Sequence, residues 1–466
     1  MRMTGSEYKE GRLLAIRGQT IARQVFWLAA PVVVEQFMLY LVFLSDTVLT
    51  GRFLSQEHLA AVTVATYLLW FLGSVIIVVS AGATALVARL IGANERADAA
   101  RICQQSIGLA LVVGTLTLAG GWVLAPIVVR ILNLSGVSAQ YATLFLRIIL
   151  TITPLQACEV VGIACLRGAG DTRTGMWVMG LVNAINVAFS WALMRGFGPI
   201  AALGFPGIAL GTALGEGTGG IVVLIVLARG RSGLSLSLAG MRPVARQVWR
   251  IVRISWPAAG ESITNLSCQL WFLGLINRLG ATATAAHGVA IRGEAIAFLT
   301  VAAFAVAAST LTGQYLGARR PDLAARAAHT AWGAGVVVLA LLGVVLYTQA
   351  EAMFALFLGS RQPQVAAEGV PVLRIVAFAL PAFATINVLS GALRGAGDTR
   401  WPWVIVLFGY IAVRLPLTYL FTQMPSHGGF GWGLRGAWIA MFIDLTVRGF
   451  LLAARFLQGG WRWAKV

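Results

Sequence analysis

The sequence predicts an all-α polytopic membrane protein with twelve transmembrane helices in two pseudo-symmetric six-helix bundles. The first observation behind this prediction is composition. Of the 466 residues, 58% are apolar and the mean hydropathy is +0.82, which excludes an ordinary soluble globular protein. The second is an internal repeat, because the octapeptide LRGAGDTR occurs at 166–173 and again at 393–400. A duplicated membrane chain is typical of two helical bundles with a pathway between them.

Other features repeat in the same order in both halves. Pro31 precedes Glu35 by four residues, and Pro257 precedes Glu261 by the same spacing. Ile-Gly-Ala at 91–93 corresponds to Leu-Gly-Ala at 316–318. Each half contains an even number of predicted spans, so both halves have the same orientation in the membrane. The repeat is therefore predicted to be parallel, with its axis along the membrane normal.

Twelve apolar segments, each of about 20 residues or more, are long enough to cross a bilayer. In chain order they lie at about 25–50, 57–88, 102–132, 139–165, 174–197, 201–229, 247–277, 283–316, 325–358, 368–393, 401–424 and 433–458. The longest polar stretch separates the sixth from the seventh. The sequence thus predicts an N-terminal tail at 1–24, a first lobe at 25–229, a connector at 230–246, a second lobe at 247–458 and a tail at 459–466.

The basic residues behind the net charge of +18 are concentrated in the tails and in one set of connectors. Arginines crowd the two tails and the connectors after helices 2, 6 and 8, whereas the opposite connectors carry about one basic residue each. This positive-inside asymmetry predicts that both termini are cytoplasmic. We therefore expect the lipid bilayer, and not nucleic acid, to be the partner of the basic residues. The bias to Arg, Ala, Gly and Val, with only two lysines, favours a prokaryotic inner membrane.

Motifs of enzymes and metal sites are missing from the sequence. The four cysteines lack CxxC or metal-ligand spacing, and no GxSxG, HExxH, Walker A or dinucleotide-binding pattern occurs. We expect no enzyme activity, no cofactor and no metal centre. The lack of a Walker motif also argues against direct drive by ATP and leaves ion gradients as the energy source.

Ionisable residues inside apolar helices are costly there and are candidates for function. Glu35 and Asp46 lie eleven residues apart on helix 1, so they share a face and are separated by roughly 16 Å along the axis. Asp46 is the candidate ion-coupling carboxylate, with an interfacial position near the outer end of helix 1 as the alternative. Glu35 and Glu261 are candidates for a substrate cavity, or for hydrogen bonds that fix helix packing.

Helix 5 carries a polar stripe of Asn183, Asn186 and Ser190, and helix 6 carries Thr212. Amide and hydroxyl oxygens beside one carboxylate suit a proton relay or a hard cation such as Na⁺. Hydrogen bonds that hold neighbouring helices together are the competing interpretation.

Two further groups are predicted from position alone. On helix 8, Arg292 needs a partner if it is buried, and we expect Glu261 or Glu294 to form a structural ion pair with it. Arg292 and Glu294 are also candidates for lining a substrate cavity. Tyr40 is a candidate for lining a substrate cavity. Each octapeptide is expected to end a helix as a structural hinge, with Asp171 and Asp398 capping the helices that follow.

At these positions the chain resembles the multidrug and toxic compound extrusion (MATE) family, within the multidrug/oligosaccharidyl-lipid/polysaccharide flippase superfamily. The resemblance covers about residues 20–460. Its motifs are Ser-Asp-Thr-Val at 45–48, Leu-Ile-Gly-Ala at 90–93, Ala-Ala-Ser-Thr-Leu-Thr-Gly-Gln at 307–314, Leu-Gly-Ala at 316–318, Arg-Leu-Pro-Leu at 414–417 and both octapeptides. The resemblance implies a V-shaped pair of six-helix bundles that alternates between inward-open and outward-open states.

The resemblance also implies a function, the export of amphipathic, often cationic compounds in exchange for H⁺ or Na⁺. It assigns ion coupling to Asp46, Asn186 and Thr212, which would also be the ligands of Na⁺. Many members carry a second aspartate on helix 5 where this chain has Ser190, and some carry a carboxylate where it has Phe383. The choice between H⁺ and Na⁺ is therefore open. We expect a monomer, with a lipid-linked precursor or polysaccharide flippase as the main alternative function and a passive channel as a lesser one.

Overall fold

The fold is helical throughout the part of the chain that the structure describes. The structure is a computed structural model, which describes residues 20–131, 134, 136–196, 198, 201–358, 362–423 and 428–464. Most of the predicted N-terminal tail lies outside these ranges. The first half contains α1 Ile21–Phe53, α2 Gln56–Gly92, α3 Arg96–Ile131, α4 Gly136–Gly168, α5 Thr172–Arg195 and α6 Phe205–Ala228.

The second half repeats this arrangement with two local differences. It contains α7 Ala245–Arg278, α8 Ala281–Gly317, α9 Pro321–Thr348, α10 Pro363–Ala396, α11 Arg400–Thr422 and α12 Gly433–Leu457. The predicted ninth span is divided, since a short helix Ala350–Leu358 follows α9 after Gln349. Within α11, the segment Gly409–Arg414 has the wider winding of a π-helix, a local feature that is frequent at functional sites.

Eleven of these helices are long and apolar enough to cross a membrane. The exception among the predicted spans is α7, which at 34 residues is equally long but more polar. Three arginines lie in its first turns, and Glu261, Thr264 and Asn265 follow further along. Thr264 and Asn265 accept hydrogen bonds from Trp403 and Tyr410 of α11, so these polar groups face another helix instead of lipid.

The helices pack closely because small residues line their contacts. In the second half, a side chain on Gly391 or Gly395 of α10 would collide with the backbone of α8 at Ala305 or Ser309. Inside lipid the hydrophobic effect does not hold helices together, so van der Waals contacts made by close backbone approach stabilise their association. The beginning of α1 belongs to the same core, since Val25, Ala29 and Val32 are buried with residues of the second half. α1 therefore connects the two halves.

The two halves meet at a reciprocal crossing of α2 and α8. A Cβ on Gly92 would collide with the carbonyl oxygen of Gln314, and a Cβ on Gly317 would collide with that of Arg89. Gly92 and Gly317 are equivalent positions of the sequence repeat. The pseudo-two-fold axis therefore passes between the C-terminal ends of α2 and α8, and both contacts depend on the missing side chain.

The octapeptides form equivalent turns with different hydrogen bonds. Gly170 and Gly397, equivalent in the repeat, both have a left-handed backbone, with φ of 88° and 86°. Asp171 caps α5 as expected, because its Oδ1 accepts the amide hydrogen of Thr174 at 3.1 Å. The expectation for Asp398 is wrong. Its carboxylate accepts two hydrogen bonds from Arg455, and the residue that precedes α11 makes no side-chain cap.

We predict that Gly317→Ala destabilises the closed crossing. The added methyl group meets the Arg89 carbonyl, and relief by backbone movement costs about 1–3 kcal/mol. The apparent unfolding temperature of the purified protein in detergent should fall. The matched control is Gly274→Ala on α7, where no atom of the described residues lies within 4 Å of the added atom. Equal unfolding temperatures for the two variants would contradict the close crossing.

We predict a pH-dependent contribution from Asp171 to stability. Burial opposes its charge, but hydrogen bonds from Arg231 and Thr174 hold the pKa of Asp171 below its ordinary value. A carboxylate with a lower pKa in the folded state stabilises the fold at pH values above its ordinary pKa of about 3.9. This stabilisation is lost as the pH falls through the folded-state pKa. Asp171→Asn should thus lower the unfolding temperature at neutral pH, with a difference from wild type that shrinks below about pH 4.

The control for this experiment is Asp98→Asn, which removes an exposed carboxylate paired with the exposed Arg101. Its unfolding temperature should stay near that of the wild type, because exposed ion pairs contribute little. A difference between Asp171→Asn and wild type that is constant from neutral pH to about pH 3 would contradict the role of the Asp171 charge.

Candidate functional site

The centre of the candidate site is Asp46, which is buried where α1 meets α5 and α6. The residue is 3% exposed. Asn186 Nδ2 of α5 donates to Asp46 Oδ1 at 3.2 Å, and Thr212 Oγ1 of α6 donates to Asp46 Oδ2 at 2.7 Å. Each carboxylate oxygen thus has one neutral donor from a different helix. Asp46 is thus enclosed by protein, while its depth in the membrane, including the interfacial alternative, stays a prediction.

Asn186 organises the polar groups around Asp46. Its Nδ2 also donates to Thr212 Oγ1 at 2.9 Å, and its Oδ1 accepts a hydrogen bond from Ser45 Oγ at 2.7 Å. Ser190 lies at the edge of the site, 3.5 Å from Asn186 Nδ2, and its hydroxyl donates to the carbonyl of Ile208. The structure therefore brings four of the five predicted ion-coupling residues together. It adds Ser45, the neighbour of Asp46. Ser45 belongs to the Ser-Asp-Thr-Val motif, but no role was predicted for it.

The fifth predicted residue, Asn183, lies outside this network. Its Nδ2 donates to the backbone carbonyls of Met38 at 2.9 Å and Met179 at 2.8 Å. Asn183 therefore joins α5 to α1 and makes no hydrogen bond with Asp46. Of the two interpretations of the polar stripe, contact between helices fits Asn183, and a site around a carboxylate fits Asn186.

Glycines of α6 allow the site to form. A Cβ on Gly211 would collide with Ser190, and a Cβ on Gly215 would lie 2.9 Å from the carbonyl oxygen of Val182. These glycines bring the backbone of α6 against α5, so that the short side chain of Thr212 reaches Asp46. The positions of the donors are set by helix packing and not by long flexible side chains.

Two apolar cavities open along the groove between α1 and α5. One has a volume of about 530 Å³ and is lined by Val34, Met38, Met176, Trp177, Gly180 and Leu181. The other, of about 580 Å³, lies beside the site and is lined by Leu41, Leu44, Ser45, Val48, Asn183, Ala184, Val187 and Ala188. Ser45 connects this second cavity with Asn186. Tyr40 is 38% exposed and belongs to the lining of neither cavity.

Glu35 and Glu261 form equivalent ion pairs with the two octapeptides. Arg167 of the first copy binds Glu35, and Arg394 of the second copy lies 3.8 Å from Glu261. Both glutamates are buried, at 3% and 7% exposure. The contacts join two motifs that repeat in the sequence. Their geometry fits the interpretation that these glutamates fix helix packing, and it does not place them in either cavity.

The predicted ion pair of Arg292 with Glu261 or Glu294 is wrong, whereas its place in a substrate cavity stays a prediction. Its residue is exposed, and its guanidinium lies over the ring of Phe357, 5.1 Å from the centroid. Because the residue is exposed, the premise of a buried arginine that needs a carboxylate partner does not apply. Glu261 binds Arg394 instead, and Glu294 is half-buried within electrostatic range of Arg414 and Arg448.

The main buried ion pairs of the second half were not predicted. Asp444 of α12 accepts hydrogen bonds from Arg414 at 2.8 and 2.9 Å and from Arg448 at 2.6 Å. Both guanidinium groups lie over the ring of Tyr410, which belongs to the π-helical segment of α11. The spacing of Asp444 and Arg448, one helical turn apart, is the sequence signal that indicates half of this cluster.

A second group missed by sequence reasoning lies between α4 and α6. Gln156 Nε2 donates to Glu216 Oε2 at 3.2 Å, and the buried carboxylate of Glu159 packs against Gly219. The sequence identifies both glutamates as intramembrane carboxylates. It does not show that they lie in one contact, because spacing within each helix does not indicate which helices meet.

The residues around Asp46 set limits on a bound cation. Across the described residues, no group of three His, Cys, Asp or Glu side chains is close enough to hold a metal ion. Na⁺ at Asp46 would use the carboxylate and Thr212 Oγ1. Asn186, however, presents its amide hydrogens to Asp46 and its oxygen to Ser45. Its amide would have to rotate, and the Ser45 hydrogen bond would be lost, before Asn186 could be a ligand.

Comparison with known proteins places the chain in a family. The MatE family model matches residues 31–192 and 257–420, one match in each half. The probable multidrug resistance protein NorM of Thermotoga maritima is 28% identical over 444 residues, which cover 95% of this chain and 93% of that protein. The resemblance to the MATE family that the sequence motifs indicate is thereby confirmed.

Solved structures share the fold. An outward-facing multidrug resistance MATE family transporter of the MOP superfamily superposes with a TM-score of 0.87 and 19% identity, over 96% of this chain and 98% of that one. A MOP superfamily transporter from Pyrococcus furiosus gives a TM-score of 0.86 and 20% identity, over 95% of both chains. That protein is described as having a binding pocket of reversed polarity, which suggests a different function for it.

These matches cover both halves of the repeat and nearly the whole chain, and they confirm the predicted fold class. Transport, and not catalysis, is the activity of the proteins that share this sequence pattern. The chain belongs to the MatE family and is a multi-pass membrane transporter, not an enzyme.

Proposed function

We propose that the protein is a secondary active multidrug exporter, which moves amphipathic cationic compounds out of the cell in exchange for H⁺ or Na⁺. The observation that carries this proposal is the environment of Asp46. Its carboxylate is buried and bound by two neutral donors, Asn186 and Thr212, with no Arg or Lys paired to it among the described residues. A charge held in this way can be neutralised by an ion from solution.

Of the two ions, the geometry favours H⁺. Protonation of Asp46 requires no change of its neighbours except the loss of one donated hydrogen bond. Na⁺ binding requires rotation of the Asn186 amide and loss of its bond from Ser45. We therefore propose H⁺ as the coupling ion, with Asp46, Asn186 and Thr212 as the ligands if Na⁺ is used.

The cavity beside Ser45 supports an amphipathic substrate. Its walls are almost entirely aliphatic, and its polar side chains are Ser45 and Asn183. An apolar body would lie in the groove, while the negative charge of Asp46 attracts a cationic group. Neutralisation of Asp46 removes that attraction and alters the hydrogen bonds that hold α1 to α5 and α6. Substrate release would follow from both effects.

Alternating access would use the halves of the repeat as moving bodies. We propose lobes at 25–229 and 247–458, joined by the connector at 230–246, with both termini in the cytoplasm of a prokaryotic inner membrane. In that orientation the crossing of Gly92 and Gly317 closes the cytoplasmic side. Opening to the cytoplasm requires this crossing to separate. Since one chain contains both bundles, a monomer is sufficient.

A lipid-linked precursor flippase of the same superfamily is the second candidate, and it would need free cationic groups for an anionic substrate. Arg414 and Arg448 are buried basic residues, but both are bound to Asp444. Arg292 is exposed, lies over the ring of Phe357 and forms no ion pair with a described residue, so of these three arginines only Arg292 could meet an anionic substrate. These contacts favour the exporter over the flippase.

The direct test is transport of ethidium by proteoliposomes with a pH gradient or a Na⁺ gradient imposed separately. We predict gradient-dependent transport by the wild type and a loss of about tenfold or more in Asp46→Asn, because the amide cannot change its charge. Folding should be retained, since the two side chains have the same shape.

The matched control is Asp322→Asn, which removes an exposed carboxylate at the beginning of α9. It should transport at the rate of the wild type. Normal gradient-driven transport by Asp46→Asn would contradict the assignment of the coupling site. Failure of the well-folded wild type under both gradients would favour the flippase.

A further inference from the structure

The contact between α4 and α6 contains two carboxylates that the Asp46 site does not use. Gln156 and Glu159 lie one turn apart on α4, and Glu216 and Gly219 lie at the same spacing on α6. Gln156 Nε2 donates to Glu216 Oε2 at 3.2 Å. The Glu159 carboxyl group fills the space of the missing Gly219 side chain, because a Cβ there would lie 2.6 Å from its carboxyl carbon and both oxygens. The two glutamates therefore belong to one contact.

Glu159 is deeply buried, and its carboxylate has no hydrogen-bond partner among the described residues. The residue is 2% exposed, and neither carboxylate oxygen is bonded to any group that the structure describes. An ionised carboxylate with no donor or cation is very costly in such an environment. The carboxylic acid carries no charge, so binding of a proton removes most of this cost.

The acidic groups around Glu159 and Glu216 make it more costly for both glutamates to be ionised. Glu216 lies within electrostatic range of Asp46, and Glu159 lies within range of Glu216 and Glu35. Glu35 is bound by Arg167, the one cation that is paired with these carboxylates in the described residues. Four acidic groups and one basic group leave a large negative charge if all are ionised.

The electrostatic proximity of these groups also defines an order. The series runs from Asp46 through Glu216 and Glu159 to Glu35, and it ends at Arg167, close to the end of α4. Arg167 belongs to the first octapeptide, which we place at the cytoplasmic side. The carboxylates thus extend through the first bundle, from the candidate coupling site towards one membrane surface.

We propose that Glu159 and Glu216 form a proton-binding site separate from Asp46, through which protons pass between Asp46 and the Arg167 end of α4. In each step one carboxylic acid loses a proton and another carboxylate gains it, so the total charge is unchanged. Because neither oxygen of Glu159 is hydrogen-bonded to a described residue, transfer to Glu159 requires movement of the side chains. Gln156, bonded to Glu216 and one turn from Glu159, is the positioning residue. The passage of protons rests on the proposed H⁺ antiport, whereas the binding site does not.

A proton fits this site better than a metal cation. The carboxyl group of Glu159 packs on the Cα of Gly219, which provides no oxygen ligand. The described residues contain no cluster of three acidic, His or Cys side chains that meets the geometry of a metal site. A cation would need several oxygens around it, whereas a proton needs one.

Infrared spectroscopy of the purified protein, without substrate or gradient, tests the binding site. Protonated carboxyl groups have a C=O stretch that carboxylates lack. We expect Glu159→Gln, and independently Glu216→Gln, to change bands of buried carboxylic acids at neutral pH. The control Glu57→Gln removes an exposed glutamate at the start of α2 and should leave these bands unchanged. Unchanged bands in both test variants would overturn the proposal, as would loss of the bands on addition of Na⁺ at constant pH.

Transport by the same proteins tests the passage of protons. In proteoliposomes with an imposed pH gradient, Glu159→Gln should lower the rate about tenfold while ethidium binding is retained, and Glu57→Gln should match the wild type. A wild-type rate in Glu159→Gln would overturn the passage. If the wild type itself showed no pH-driven transport, the proposed antiport would fail, while the infrared bands would still decide the binding site.

Discussion

The interaction on which the rest of the structure depends is the pairing or neutralisation of buried carboxylates inside a membrane-spanning protein. Each buried carboxylate must find donors, a cation or a proton. Asp444 meets this constraint with two arginines, and Glu35 and Glu261 meet it with the arginines of the octapeptides. Asp46 has neutral donors only, and Glu159 has none in the described residues. Carboxylates paired with arginine hold helices together, and carboxylates without a cationic partner are where ions would bind.

The sequence repeat has a direct structural meaning. The motif with Pro31 and Glu35 and the first octapeptide meet in one ion pair, and their copies meet in another. The equivalent glycines at 92 and 317 contact each other's helices reciprocally. These contacts between repeated motifs therefore occur in both halves. The Asp46 site has no carboxylate at the equivalent position of the second half, where Phe272 follows Trp271. Structural contacts are thus duplicated, and the candidate coupling site is not.

Most of the fold and the centre of the site could be predicted because they depend on local patterns. Apolar segment length gives the spans, and the rarity of intramembrane carboxylates identifies Asp46. Contacts between distant helices were harder to predict. The pairing of Asp398 depends on Arg455 at the end of α12, far away in sequence. The approach of Glu159 to Glu216 depends on how closely α4 crosses α6, which glycines permit but do not specify.

The central claim is that an ion and the substrate compete through the charge of Asp46. The most direct measurement is proton release when ethidium binds to the purified protein in a weakly buffered detergent solution. The account predicts that the wild type releases protons on binding and that Asp46→Asn binds ethidium with a smaller release. Equal release by both proteins, or binding by the wild type with no release and no competition by Na⁺, would contradict it.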